Sequence, residues 1–164
     1  MANQYTKWER YFHKLNIFFH GIVAISMIPF AYAFLETQKD FSDPPMVVGD
    51  QAMALKFALI AISLAILVIA FRYDKKRNFI GSNLDLVDRL SVYSKHNVRF
   101  YLLIQLSAIA ACSGLYLLKD QFFSFLYVIV LFVFSQTRPT YDRVMSQNEL
   151  SEEEKEELNE LSEA

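Results

Sequence analysis

Long uncharged apolar runs alternate along this chain with short charged segments, and four runs stand out. Leu15 to Leu35 contains no Asp, Glu, Lys or Arg. Met53 to Phe71 is broken only by Lys56, near its start. Phe100 to Leu118 is uncharged, and Phe122 to Phe134 extends through the uncharged Ser135, Gln136 and Thr137. A bilayer core is about 30 Å thick and takes roughly 20 apolar residues as helix. Backbone groups must pair within their own segment there, so each run is expected to be an α-helix. The expected fold is an all-α membrane protein: a four-helix transmembrane bundle of two antiparallel hairpins, followed by a soluble acidic C-terminal tail. The helices are placed at about 15–35, 53–72, 98–118 and 121–137, within a domain of residues 1–139; the tail is 140–164.

The punctuation agrees. Pro29 lies inside the first run and is expected to kink it. Glu36 to Asp50 is a loop rich in acidic residues, with Pro44-Pro45 and Gly49 as turn formers. Lys119-Asp120 leaves room only for a tight turn. In the middle loop, Ser82 or Asn83 would cap a short helix. Leu84, Leu86, Val87, Leu90 and Tyr93 would line one side of it, whether it is a helix at the membrane surface or a plain two-turn connector. The tail opens with a capping box, Ser151 to Glu154, and then repeats glutamate; it is expected to be a solvated segment.

Small residues suggest the packing, since close backbone approach holds membrane helices together. Ala54, Ala58, Ala61 and Ala65 form a stripe on the second helix. Ser107, Ala111, Ala110 and Gly114 offer a partner on the third, and the aromatic fourth helix is expected to face lipid. A parallel hairpin duplication is one reading of a weak internal match, and chance similarity of two apolar segments is the preferred one. Lys14, Asn16 and Phe19 match Lys95, Asn97 and Phe100 in register, and Ser26 then meets Ser107.

Charge sets the orientation. Of the 16 Lys and Arg residues, all but Lys39, Lys56 and Lys119 fall on the side shared by the two termini and the middle loop. Cytoplasmic loops carry such an excess, so both termini are expected in the cytoplasm, most simply of a bacterial inner (plasma) membrane. Lys75, Lys76 and Arg77 would contact anionic lipid or a partner. Ala31-Tyr32-Ala33 resembles a signal-cleavage element. The preceding run is nevertheless long enough to span, and it is expected to stay in place.

Candidate chemistry is sparse. The single cysteine, Cys112, excludes an intramolecular disulfide. No carboxylate falls in the middle of a run, which disfavours ion-coupled transport by one copy. His20, His96 and Gln105 are the polar groups that would converge near the inner leaflet as cofactor-binding residues. Haem b between two imidazoles, or a quinone contact, is one reading of them; hydrogen bonding within the bundle is preferred, and no cofactor is predicted. No catalytic residues, metal site or nucleic-acid partner is expected. The expected function is a non-catalytic subunit or adaptor of a larger membrane assembly, in contact with the bilayer and with other membrane chains or copies of itself. The alternative is a small homo-oligomeric transporter or channel.

Overall fold

The computed structural model describes residues 7–39, 44–75 and 86–148, together with 153, 154 and 156 of the tail. Among the described residues the chain is helical apart from short turns and loops, with no strand. The helices are α1 (Lys7–Thr37), α2 (Asp50–Lys75), α3 (Leu86–Leu118), α4 (Phe122–Thr137) and α5 (Tyr141–Asn148). Three of them, α1, α2 and α3, are long and apolar enough to cross a membrane. The 16 residues of α4 rise about 24 Å, short of a typical bilayer core. α5 turns away from α4 by 66°.

Pro29 sits inside α1 without ending it. The Lys119-Asp120 turn is as tight as expected. Lys119 adopts the left-handed region at φ 51°, which closes the last turn of α3 through its own N–H to Leu115 O at 2.9 Å. Asp120 then starts α4: its Oδ1 accepts from Phe122 N at 2.9 Å and its carbonyl from Phe123 N at 3.1 Å. At the same end, the loop before α2 is pinned by Met46 N donating to Leu117 O at 3.0 Å. Gly49 enters α2 at φ +71°, a conformation that disfavours a side chain.

The expected surface helix does not stand apart. α3 begins at Leu86 and runs unbroken to Leu118, about 50 Å, longer than a bilayer core is thick. There Leu86, Leu90 and Tyr93 are buried with Leu15 of α1 and Val144 of α5, and Val87 stays exposed. These apolar side chains found protein rather than the membrane surface. Leu84 and the caps Ser82 and Asn83 lie outside the described residues.

The packing is a hub rather than two hairpins side by side. α1, α2 and α4 all pack extensively on α3, α1 and α4 touch, and α1 and α2 have no comparable contact. Of the two expected hairpins only the α3–α4 one forms; α2 pairs antiparallel with α3 instead of with α1. The pairs Phe19/Phe100 and Ser26/Ser107 are buried in both helices. The hairpins that a duplication would repeat are nonetheless packed differently.

α2 and α3 do meet, but not along the expected stripe. Ala54, Ala58, Ala61 and Ala65 are exposed, and Ser63, Leu67 and Ala70 face α3. On the α3 side, Ser107 meets Ser63 and Ala111 is buried, but Ala110 is only half-buried and Gly114 is buried against Phe123 of α4 rather than against α2. The fourth helix is two-faced: Phe123, Tyr127, Val130 and Phe134 are buried, while Phe122, Phe125, Val128 and Phe132 face outward. Gly114 makes this possible, because a Cβ there would come within 2.3 Å of the Phe123 ring.

Candidate functional site

Two polar clusters lie inside the apolar bundle. In the first, the side-chain amide of Gln105, oriented as its neighbours require, inserts against one step of the α1 backbone. Its nitrogen donates to Ile22 O at 3.1 Å and to Ser26 Oγ at 3.2 Å, and its oxygen accepts from Ser26 N at 3.1 Å. Ser26 Oγ donates to Val23 O at 3.2 Å and accepts from Tyr127 OH of α4 at 3.2 Å. Cys112 Sγ approaches Ser26 O at 3.8 Å. Phe30 stacks flat on the Tyr127 ring, with centroids 3.8 Å apart. Ser26 thereby ties three helices at one point, a turn before Pro29.

The second cluster joins α2 to α3. Ser63 Oγ and Ser107 Oγ are 2.6 Å apart, and each also reaches the other residue's carbonyl, at 3.3 and 3.1 Å. Hydroxyls so paired satisfy groups that hydrocarbon would leave unsolvated.

A third cluster closes the end of the bundle that carries α5. His96 is 5% exposed and stacks on Tyr73 of α2, with centroids 4.2 Å apart and the rings 6° from parallel. Its Nε2 lies 4.0 Å from Asp74 Oδ1, and Asp74 Oδ2 lies 3.9 Å from Arg143 of α5. Arg143 Nη1 also donates to Gln136 O at 2.7 Å, satisfying a carbonyl at the end of α4. Tyr101 OH donates to Thr137 O at 2.9 Å and Tyr93 OH to Gln147 Oε1 at 2.9 Å. Glu154 reaches back to Arg89 at 2.6 Å. The start of the tail is therefore part of the packed protein.

These contacts separate the residues singled out in the sequence. Gln105 is buried between α3 and α1, His96 lies at the α2–α3–α5 junction, and His20 is exposed on α1 beside the ring of Phe19. The three do not share a site. Lys75 is exposed at the end of α2; Lys76 and Arg77 lie outside the described residues. The sequence pattern assigns no contact to Tyr127, Cys112, Asp74 or Arg143. Tyr127 had a signal in its spacing from Phe123, Val130 and Phe134. Asp74 and Arg143 had none, since their meeting depends on α5 folding back.

At the opposite end, Lys56 Nζ pairs with Asp120 Oδ2 at 2.5 Å and lies 5.4 Å from the centroid of the Phe122 ring. The Lys56 ammonium, chiefly through this hydrogen bond, holds the Asp120 carboxyl below its ordinary range. Among the described residues, no group of three or more His, Cys, Asp and Glu is placed to hold a metal. Comparison with family models, curated proteins and solved structures finds no match.

Proposed function

We propose that this chain is a four-span integral membrane protein, with both termini in the cytoplasm of a bacterial inner membrane, serving as a non-catalytic subunit or adaptor of a larger assembly. The fourth span is α4. It returns far enough to place Thr137 on Tyr101 and Phe134 on Phe19, with ring centroids 6.1 Å apart, near the start of the apolar run of α1. The orientation rests on the basic residues gathered at the α5 end. The anionic-lipid or partner contact assigned to Lys75, Lys76 and Arg77 belongs to the same face.

The observation that carries the subunit reading is how the buried polar side chains are used. Ser26, Ser63, Gln105, Ser107, Cys112 and Tyr127 each bond to a neighbouring helix. Intramembrane polar groups that serve a path or a reaction face a cavity; these fix helix positions. Around them, α1 and α2 present broad apolar faces, suited to lipid and to partner helices.

Native mass spectra of the protein, extracted from its own membrane in mild detergent, test this. The expected result is this chain with unrelated chains at fixed stoichiometry. A single copy with no other chain bound overturns the subunit reading, and several copies of this chain alone replace it with the homo-oligomeric transporter.

A further inference from the structure

The end of the bundle opposite α5 holds an open cavity of about 340 Å³ between the loop before α2 and the α3–α4 turn. Val47, Ala52, Met53 and Leu118 give it an apolar wall, and Lys56 and Asp120 give it one cation and one anion. The pair is accessible, with side chains 29% and 31% exposed.

The ion pair leaves hydrogen-bonding capacity on both partners. Lys56 Nζ has three donors and spends one on Asp120. The Asp120 carboxylate has about four acceptor positions, and Phe122 N and Lys56 occupy two. A purely anionic ligand would meet the repulsion of Asp120, and a purely cationic one that of Lys56. A ligand carrying both charges a few bonds apart matches the arrangement. Its phosphate would take the free donors of Lys56, and its ammonium would donate to Asp120. A quaternary ammonium has no N–H, so a primary amine fits better.

The surroundings favour a ligand with an acyl chain. Met53 and Phe57 follow one another on α2 at 58% and 63% exposure, with Phe122 also exposed beside the pair. Lys56 stands at the edge of the apolar run, where head groups meet hydrocarbon.

We propose that this cavity binds the head group of a phospholipid bearing a primary amine, with phosphate on Lys56 and ammonium on Asp120. The proposal rests on α2 crossing a membrane and is independent of the subunit reading.

The full chain in mild detergent, titrated with equal amounts of phosphatidylethanolamine and phosphatidylcholine, is read by native mass spectrometry. Retention of the ethanolamine lipid should exceed that of the choline lipid roughly five- to ten-fold, the worth of one charge-assisted hydrogen bond. Asp120→Asn should erase that preference; asparagine can still cap α4, so the fold is kept. Lys56→Met, and Ala52→Phe, which fills the cavity, should lower retention of both lipids. Equal retention by the unaltered protein, or a preference that survives Asp120→Asn, overturns the proposal. Displacement of the lipid by an equal concentration of soluble phosphoethanolamine overturns the lipid assignment in favour of a free phosphoamine. Added protein masses bear on the subunit reading and added lipid masses on this one, so the two fail separately.

Discussion

Gly114 and Asp120 are single residues whose chemistry the surrounding structure leaves little freedom to change. The Phe123 ring occupies the space a Cβ at Gly114 would need, and Phe123 is fully buried. Gly114→Ala should therefore destabilise the α3–α4 hairpin by about 1–3 kcal/mol, seen as a lower melting temperature in detergent. Pairing it with Phe123→Leu should recover part of the loss. Asp120 makes a pH-dependent contribution of known sign. Its carboxyl is held below the ordinary value of 3.8 by Lys56, so the charged form is favoured in the folded state. That contribution is fully present above the unfolded value and fades as pH falls through the lower folded one. The stability difference between the native chain and Asp120→Asn should be constant from neutrality to about pH 4 and vanish in stronger acid. Melting temperatures across that range check it, and a gap that instead closes between pH 5 and 7 would contradict it.

Helices are held together here by a few buried polar contacts. Gln105→Leu removes an amide bonded to two residues of α1. It should cost about 1–2 kcal/mol and loosen α1 from α3, measurable by faster backbone amide exchange around Ile22 to Ser26. A double-mutant cycle on Ser63→Ala and Ser107→Ala should return a coupling of roughly 0.6 kcal/mol. The helices themselves were legible in the sequence, because uncharged runs such as Leu15–Leu35 and Phe100–Leu118 have few other outcomes. Their facing was less so. Every side of α2 is apolar, so its alanine stripe carried no more information than the serine that turned out to face α3. The polar first turns of α3 make the sequence pattern predict two helices where there is one. What continues the helix is apolar contact with Leu15 and Val144, residues far away in the chain. Gln105 was legible as an interhelical bond, but its partners were not.

On the scale of the whole molecule, the proposed orientation can be checked by labelling intact cells, because the chain's own Cys112 is buried. A cysteine at the exposed Gln38 should react with a membrane-impermeant maleimide from outside. One at the exposed Ser146 should react only after the membrane is opened. The reverse pattern would invert the topology, and reaction of both in intact cells would remove a span. The proposed orientation depends on charge counts alone. The junction of Asp74, His96 and Arg143 was not legible in the sequence, because it requires three segments to meet.

The central place of α3 also sets a timetable for biosynthesis. The insertion machinery releases α1 and α2 before α3 exists, and those two helices have little surface for one another. Roughly 40 further residues must leave the ribosome after Lys75 to complete α3, several seconds at usual synthesis rates. On the proposed topology the nascent protein is, during that interval, two spans in lipid with neither folded against the other. Assembly therefore begins at the third helix, and in a polypeptide halted at Lys75 the two tethered helices should be open to protease independently, while the finished one resists as a unit.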